Sequence, residues 1–344
     1  MEQNKKIFIT GVKGYIGSVL ADSLIRNGYE VGGLDTGFYK DVSLYDGLLS
    51  SDKILEKDVR NVTAEDLMGY DAIIHLAELS NDPLGEMNKE LTIDINHGGT
   101  TTLAEKAKLA GVPRFIYSSS CSVYGFNDDK VNENSPANPL TTYAKMKIEN
   151  EKKLTLMADD NFCPVFLRNA TVYGPSPSMR FDLVINYICG TAQTAKIIDL
   201  KSDGQAWRPF IHINDLANVF TAMVNAPTDK VYCQIFNIGS DKSNYKIRDT
   251  AEIIKKEMPE CELRIQDNNP DRRSYNVGFT KLETAFPELP AFINMENGIK
   301  NMLDLFKNIS MTKEKFESKS FTRIKQINNL LESGAINSSF FWNK

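Results

Sequence analysis

The stretch "ITGVKGYIG", residues 9–17, places three glycines in a GxxGxxG spacing directly after a short apolar run. The early glycines permit a tight turn and let backbone N–H groups approach a pyrophosphate at the start of a helix. The last glycine lets that helix pack closely against a sheet. A plain turn is the alternative, because a glycine triplet alone is a weak signal. The pattern favours a strand–turn–helix unit that binds a dinucleotide through Gly11, Gly14, Tyr15, Ile16 and Gly17.

Short apolar runs alternate with helical patterns through the first half of the chain. The apolar runs predict strands near 7–9, 30–34, 53–55, 72–76, 114–117 and 165–167. The patterns between these runs predict helices. The helices are expected near 15–27, 97–110 and 142–158. Strands that alternate with helices indicate βαβ units and hence a parallel sheet. The predicted fold class is therefore α/β, with a doubly wound parallel sheet.

The alternation becomes irregular after residue 174, where prolines interrupt the pattern. A second, smaller α/β domain that holds the substrate is predicted to begin there. We predict a dinucleotide-binding domain over 1–174, with returning segments near 207–240. The substrate domain is expected to take up 175–206 and 241–312. The remaining residues, 313–344, are predicted to form a helical tail whose amphipathic last helix is terminated by Gly334.

The composition is that of an ordinary globular protein, with 42% hydrophobic and 25% charged residues in a chain of 344. The net charge is -5, and Lys and Arg are spread along the chain, which argues against a nucleic-acid partner. The five cysteines lie far apart without CxxC or Cys/His spacing, which argues against zinc and disulfides and favours reduced thiols in the cytoplasm. No apolar stretch approaches the ~18 residues of a membrane span, so we expect neither export nor a membrane. We assign no metal site.

Carboxylates follow the second and third predicted strands. Asp35 ends the second strand, where a carboxylate can accept hydrogen bonds from an adenosine ribose. No Arg or Lys follows it until Lys40, so no cation close in sequence would neutralise a 2′-phosphate, and NAD is favoured over NADP. Asp58 and Val59 come after the third strand and are predicted to meet the adenine. A solvated turn carboxylate is the alternative for Asp58.

Two further motifs carry residues suited to acid–base chemistry. In "YAKMK", Tyr143 and Lys147 are four residues apart in a helical pattern and therefore share one face. An ammonium and an oxidised nicotinamide nearby would lower the pKa of the tyrosine, so that its phenolate could take a proton from a substrate hydroxyl. "SSSCSVYG", residues 118–125, supplies hydroxyls at the carboxyl end of a strand, where open α/β sheets bind ligands. Ser120 is expected to hold the substrate oxygen.

Together these motifs resemble those of extended short-chain dehydrogenases/reductases of the NAD-dependent epimerase/dehydratase family. Six motifs occur in family order over about residues 7–300: GxxGYIG, "HLAE" (75–78), Asn96 with "GGT", "SSSCSVYG", "YAKMK" and "RPFIHINDLA" (208–217). The resemblance implies a Rossmann domain, bound NAD and a nucleotide-sugar substrate. It implies a catalytic trio of Ser120, Tyr143 and Lys147, of which Tyr143 and Lys147 also contact the cofactor, the lysine at the nicotinamide ribose. It implies further cofactor contacts from Leu76, Ala77 and Asn96. It also implies a homodimer that pairs through the helices near 97–110 and 142–158.

The same resemblance marks a departure in the serine stretch. Sugar 4,6-dehydratases of the family place Asp-Glu after the residue that matches Ser120, and its sugar-acid decarboxylases keep a Glu there. This chain has Cys121 and Ser122 instead. Elimination is therefore not expected, which leaves oxidation, reduction or epimerisation. Cys121 can be a base or a buried structural thiol, and the second interpretation is favoured because nothing near it in sequence would lower its pKa.

On the substrate side, Arg208 matches the family arginine that contacts the sugar-nucleotide diphosphate. The family places Asn three residues before the glycine of "LRNATVYG", where this chain has Thr171, with Asn169 two residues earlier. Both are candidate sugar contacts. A second phosphate-binding arginine is expected at a position that holds Asn268, so the candidates there are Arg272 and Arg273, with a solvated charged loop as the alternative. His75 and His212 are expected to be structural hydrogen-bond partners.

The function that these residues favour is epimerisation of a nucleotide sugar through a keto intermediate, at C4. The alternative enzyme is a one-way sugar dehydrogenase or 4-keto reductase that uses the same trio. An alternative of a different kind is a binding module that holds NAD without catalysis. The intact trio argues against that module.

Overall fold

The structure is a computed structural model that describes residues 5–40, 43–80, 82–266 and 274–343. Its strands are β1 (Lys6–Thr10), β2 (Glu30–Asp35), β3 (Ile54–Glu56), β4 (Ala72–His75), β5 (Arg114–Ser120), β6 (Phe126–Val131), β7 (Cys163–Asn169), β8 (Thr171–Tyr173), β9 (Ile197–Leu200), β10 (Trp207–His212), β11 (Ile235–Ile238), β12 (Asn244–Lys246), β13 (Glu262–Ile265) and β14 (Ser274–Val277). Its helices are α1 (Tyr15–Arg26), α2 (Asp82–Met87), α3 (Lys89–Ile93), α4 (Gly99–Leu109), α5 (Thr142–Met157), α6 (Val184–Ala195), α7 (Ile213–Asn225), α8 (Thr228–Val231), α9 (Ile247–Glu257), α10 (Thr280–Ala285), α11 (Met295–Asn308), α12 (Lys313–Glu317) and α13 (Arg323–Glu332).

The main sheet has seven parallel strands in the order β11-β7-β5-β4-β1-β2-β3. The predicted α/β fold with a parallel, doubly wound sheet is confirmed. Because the strand order reverses between β1 and β4, the carboxyl ends of these two strands border the crevice where such sheets bind ligands.

Alternate residues of the strands face two separate apolar cores. Ile7 and Ile9 of β1 face one core, together with helix α1 and α7 side chains such as Leu20 and Leu216. Phe8 faces the other core, which includes Leu103 of α4. This period of two, with both faces covered by helices, explains why the strands read as continuous apolar runs.

Two elements differ from their predicted bounds in ways that shape the site. Strand β5 continues through Ser118–Ser120, because these residues still pair with Leu167–Asn169 of β7. The polar serines are therefore the end of a strand and not a turn. A π-helical turn, Asp94–Gly98, precedes α4, where the pattern indicated an α-helix from about residue 97.

The strands after residue 174 form small sheets beside the main one. Strand β10 pairs with β8 and β12 in a three-stranded sheet, and β9 pairs with β13. Strand β11 instead returns to the edge of the main sheet beside β7. The division into 1–174 with 207–240, 175–206 with 241–312, and 313–344 stays a prediction.

The tail packs back onto the rest of the chain. Helix α13 contributes Ile327 and Leu330 to an apolar cluster that also contains Phe38 and Leu84. Gly334 follows the helix with a φ of 68°, a conformation that favours glycine, as the sequence predicts. Within the described ranges, no helix combines the length and apolarity that crossing a membrane requires.

Candidate active site

A cleft of about 1040 Å³ opens at the carboxyl ends of the main-sheet strands. It gathers most of the side chains singled out in the sequence. These are Gly11, Gly14, Tyr15, Ile16, Gly17, Asp35, Asp58, Val59, Leu76, Ala77, Ser120, Tyr143, Lys147, Asn169, Thr171 and Arg208. Arg272 and Arg273 lie outside the described residues. Asn96 does not line the cleft.

The glycine loop has the shape that a dinucleotide pyrophosphate requires. Gly11 adopts a φ of 70°, and a Cβ on Gly17 would lie 2.2 Å from the Gly11 carbonyl oxygen. Both positions therefore exclude side chains for steric reasons. Helix α1 begins at Tyr15 without a side-chain cap from Gly14, so its first N–H groups are left for an anion. The Tyr15 hydroxyl itself donates to the Gly174 carbonyl, 2.8 Å away.

Asp35 lies at the end of β2 and borders the cleft. Its carboxylate accepts hydrogen bonds from the N–H groups of Lys13 at 3.0 Å and Gly37 at 2.9 Å. Burial raises the pKa of this carboxyl, and the two N–H donors counter that effect. The position fits the predicted contact with an adenosine ribose.

Asp58 borders the same end of the cleft, but its carboxylate is already engaged. The Arg60 guanidinium binds both oxygens, at 2.9 Å from Nε and 2.8 Å from Nη2. The Arg60 N–H also donates to Asp58 at 2.8 Å. The carboxylate is therefore paired and not simply solvated. The contacts of Asp58 and Val59 with the adenine stay predictions, and both residues line the cleft.

The position of Asn96, buried outside the cleft, does not agree with the predicted cofactor contact. The side chain is fully buried, accepts from the Leu79 N–H at 2.8 Å and donates to the Leu79 carbonyl at 3.2 Å. Asn96 therefore positions the segment that follows β4. That segment includes Leu76 and Ala77, whose N–H groups donate to Thr10 Oγ1 at 3.1 Å.

The predicted trio meets at the centre of the cleft. Tyr143 and Lys147 share one face of α5, with the Lys147 ammonium 5.2 Å from the centre of the tyrosine ring. Ser120 ends β5, and its hydroxyl accepts from the Ser122 N–H at 3.1 Å. The Ser120 side chain is close enough to Tyr143 to lower its pKa.

Glu78 lines the cleft beside the trio, a position that the sequence did not indicate. Its Oε2 lies 2.6 Å from the Lys147 ammonium, and both side chains are almost completely buried. The Tyr117 hydroxyl donates to its Oε1 at 2.7 Å, and Lys147 also donates to the Ser118 carbonyl. The residue stood within the quoted "HLAE" motif, but no spacing rule connects it to Lys147.

Lys147 lowers the pKa of Tyr143, as predicted, but in the protein without cofactor the net effect of all neighbours is to raise it. Burial is the largest cause, and the Lys147 ammonium lowers the pKa by less than burial raises it. The nearby carboxylates of Glu78 and Asp82 raise it further, and the contact with Ser120 lowers it. Burial lowers the pKa of Lys147, but Glu78, Tyr143 and Glu151 together outweigh burial, so the net pKa is raised. In the protein without cofactor, Tyr143 is therefore a neutral phenol beside a charged ammonium.

Cys121 is a structural thiol, as the favoured interpretation predicts. It is buried, its Sγ contacts the Arg168 carbonyl at 3.1 Å, and burial strongly raises its pKa. Ser122 instead borders the cleft, and its buried Oγ has no hydrogen-bond partner within the described ranges. His75 is also structural, since its ring nitrogens contact Thr10 and Thr100 hydroxyls at 2.7 and 2.8 Å.

The predicted substrate contacts Arg208, Asn169 and Thr171 also line the cleft. The Arg208 guanidinium lies 5.1 Å from the centre of the Tyr275 ring, and the residue is 7% exposed. Asn169 donates to Ser118 Oγ at 2.9 Å, while its buried Oδ1 lacks a partner among the described residues. Thr171 is half-buried on β8.

Two further arginines line the cleft that no sequence motif indicated. Arg180 binds Asp182 through two hydrogen bonds of 3.0 Å and donates to Ser80 Oγ at 3.0 Å. Arg323 comes from the tail and lies close enough to Asp35 for the two charges to interact. Arg323 is far from Asp35 in sequence, so the argument from cations close in sequence did not include it.

The chain is similar in sequence to several characterised proteins. It is 31% identical to Protein CapI of Staphylococcus aureus over 242 residues, which cover 64% of this chain and 70% of that protein. It is 29% identical to a UDP-glucose 4-epimerase of Mycolicibacterium smegmatis, over 68% of this chain and 77% of that protein.

Solved structures share the fold. One is TunA, an NAD-dependent NDP-hexosamine 5,6-dehydratase of tunicamycin biosynthesis, with a TM-score of 0.77, 25% identity and coverage of 89% of this chain and 98% of that chain. Another is the UDP-glucuronic acid 4-epimerase of Bacillus cereus with UDP-glucuronic acid and NAD, with a TM-score of 0.75, 23% identity and coverage of 88% and 99%.

A family model decides the membership of the chain. Residues 7–239 match the NAD dependent epimerase/dehydratase family, and these residues include the glycine loop, the trio and most of the cleft. The geometry agrees with that match, because the loop, Asp35 and the trio form one continuous site with room for a dinucleotide. The chain is thus an NAD-dependent enzyme that belongs to the NAD dependent epimerase/dehydratase family.

Proposed function

We propose that the protein epimerises a nucleotide sugar at C4 through a 4-keto intermediate. The observation that carries the proposal is the convergence of Ser120, Tyr143 and Lys147 on one cleft that also holds the glycine loop and Arg208. The relatives named as UDP-glucose 4-epimerases support the reaction and the substrate class. The chemistry that NAD supplies when bound is reversible hydride transfer, from the reacting sugar carbon to the cofactor and back.

Tyr143 is the acid–base group of this proposal. Its phenolate takes the proton of the sugar 4-hydroxyl as the carbonyl forms, and the resulting phenol gives that proton back when the carbonyl is reduced. Lys147 favours the phenolate by its charge, and Ser120 donates a hydrogen bond to the reacting oxygen. The raised pKa of Tyr143 in the free protein suits a group that becomes a base only when further positive charge enters the cleft.

Further polar side chains of the cleft support a polar, anionic substrate. The Arg208 guanidinium is suited to a diphosphate, because a planar fork can bind two phosphate oxygens. Ser122 Oγ and Asn169 Oδ1 are buried polar atoms without partners among the described residues. Such atoms cost free energy until a ligand satisfies them, and sugar hydroxyls can do so.

Epimerisation is preferred to elimination because the two positions after Ser120 hold a thiol and a hydroxyl. The thiol of Cys121 is buried against the Arg168 carbonyl, and Ser122 carries no acidic proton near neutral pH. The Glu78 carboxylate does border the cleft, but it is paired with Lys147 and Tyr117. A one-way dehydrogenase or 4-keto reductase uses the same trio and stays the alternative. A cytoplasmic location and a homodimer stay predictions.

A substrate screen tests the proposal. The protein is incubated with UDP-, GDP-, dTDP- and CDP-sugars, and product configuration is followed by NMR together with absorbance at the reduced-nicotinamide band. We expect one sugar to equilibrate with its C4 epimer without net formation of reduced cofactor. Stoichiometric cofactor reduction would identify a dehydrogenase instead, and a product lighter by one water would identify a dehydratase. The Tyr143→Phe variant is the control for a contaminating activity.

A further inference from the structure

The C-terminal tail is anchored beside the cofactor end of the cleft. The Phe316 and Phe321 rings pack against Phe181, with ring centres 4.7 and 5.4 Å apart. Gln326 donates to the Phe38 carbonyl at 3.1 Å, and the Trp342 indole N–H donates to the Thr36 carbonyl at 2.6 Å. The tail is thus attached to the loop that directly follows Asp35.

Arg323 is the residue that these anchors place in the cleft. It is the first residue of α13 and is only 4% exposed. Its guanidinium carbon lies 3.9 Å from the centre of the Tyr39 ring, and Nη2 lies 3.4 Å from both the carbonyl and the hydroxyl oxygen of Ser178. Its Nη1 is buried without any hydrogen-bond partner within the part of the chain that the structure describes.

The positive charge of Arg323 is poorly compensated by its surroundings. The neighbouring Arg180 is already paired with Asp182 through two hydrogen bonds, and the oxygens of Asp35 accept from the N–H groups of Lys13 and Gly37. Burial, together with the charge of Arg180, lowers the pKa of Arg323 to about 10. A buried cation with an unused donor is costly unless an anion joins it.

We propose that Arg323 of the C-terminal tail binds the pyrophosphate of NAD, opposite the start of α1. Arg323 lines the same cleft as Gly11 and Asp35, and Asp35 is predicted to bind the adenosine ribose. Arg323 also lies within electrostatic range of Asp35 and of Arg180, which acts on Tyr15 and Tyr143. The anion between the adenosine ribose and the nicotinamide is the pyrophosphate. A 2′-phosphate is disfavoured because it would meet the Asp35 carboxylate. The inference depends on NAD as the cofactor and not on the proposed C4 reaction.

The test compares ligands that differ in phosphate, using the full chain after removal of any co-purified cofactor. Calorimetry is used to titrate Arg323→Met and the wild type with NAD, ADP, 2′-AMP and adenosine. We expect the variant to bind NAD and ADP about 10–100-fold more weakly, the loss for a charged hydrogen bond, and to bind adenosine within about 2-fold of the wild type. The control is Lys325→Met, which removes the same charge from an exposed position of α13 and should change none of the affinities.

Three results would overturn the inference. Equal losses for adenosine and ADP would mean that Arg323 acts only by positioning the tail. A larger loss for 2′-AMP than for ADP would place the anion at the 2′-position. Unchanged affinity for NAD would remove the contact altogether. If Arg323→Met does not fold, Arg323→Gln gives the same comparison, because it keeps a donor toward Ser178 and removes the charge. Failure of the C4 reaction in the sugar screen would leave each of these binding results unaffected.

Discussion

Tyr143 and its immediate neighbours form a balance of opposing charges. The Lys147 ammonium favours the phenolate, but Glu78 lies 2.6 Å from that ammonium and opposes it. Because burial adds to the opposition, the free protein holds the tyrosine neutral. At the residue scale, the acid–base group is therefore set by a buried network of three ionisable side chains and not by a single pair.

Tyr143→Phe tests the assignment of the base. The substitution removes only the ionisable oxygen and preserves the packing of the ring. We expect hydride transfer to fall by about 10²–10⁴-fold while NAD affinity stays nearly unchanged. The measurement is single-turnover reduction of bound NAD by the true substrate, followed by absorbance, with calorimetry for NAD. An undiminished rate in the Phe variant would place the base elsewhere.

Ser120→Ala and Lys147→Ala extend the comparison to the other members of the trio. Ser120→Ala should cost about 10–10³-fold in the same single-turnover rate, because it removes one positioning hydrogen bond at the reacting oxygen. Lys147→Ala should impair both NAD binding and hydride transfer, since it removes a cofactor anchor and leaves Glu78 as an unpaired buried charge. The effects should not add, because the residues act as a unit. If the Ser120→Ala, Lys147→Ala double variant lost as much rate as the two single losses multiplied together, this expectation would be contradicted.

At the scale of elements, His75 holds three of them together. It ends β4, and its ring nitrogens contact Thr10 of β1 and Thr100 of α4. Burial lowers the pKa of His75 to about 3, so the folded state requires the neutral ring. For a histidine with a lowered pKa, the free energy of unfolding has its full value above the pKa of the unfolded state, ~6.5. It then decreases as the pH falls toward the pKa of the folded state.

His75 therefore predicts a specific loss of stability in acid. Between about pH 7.5 and pH 5, this residue should reduce the free energy of unfolding by about 2 kcal/mol. Urea unfolding of the wild type and His75→Gln at both values isolates the effect, because His212 and Asp215 titrate in both proteins. The variant should lose about 2 kcal/mol less than the wild type over this range. Equal losses would show that His75 is not held neutral.

The elements of the first half could be predicted because their signals are local. A period of two in apolar residues, a helical pattern and the glycine spacing each depend on residues close in sequence. The extension of β5 through Ser118–Ser120 was not predictable, since it depends on pairing with Leu167–Asn169 of another strand. The same holds for Asn96, whose partner is the backbone of Leu79 across a buried turn.

At the scale of the whole molecule, the site is completed by side chains that sequence position does not connect. Glu78 reaches Lys147, and Arg323 reaches the loop after Asp35, only because the chain folds back on itself. The family motifs located the trio and the glycine loop, since each is a short spacing with a fixed chemistry. The tail carries no such spacing, so its contribution to the cleft became visible only in three dimensions.

The largest structural prediction concerns the association of two copies of the chain. Leu109 ends α4 with 72% of its surface exposed, and Leu156 near the end of α5 is 85% exposed. These two positions lie near each other, because Lys108 donates to the Met157 carbonyl at 2.6 Å. Large apolar side chains so exposed on neighbouring helices favour a contact with another copy. We therefore predict a homodimer formed through α4 and α5.

Sedimentation of the wild type and of the Leu109→Arg, Leu156→Arg double variant tests this prediction. In a two-fold interface each substitution occurs twice, so four buried leucines would be replaced by four charges. With about 1.5–3 kcal/mol for each buried leucine, dissociation should become more than 100-fold easier, and the variant should sediment as a monomer at micromolar concentration. Met68→Arg is the matched control, because Met68 is 63% exposed and lies outside both helices. A wild type that is monomeric at that concentration, or a double variant that stays dimeric, would exclude this interface.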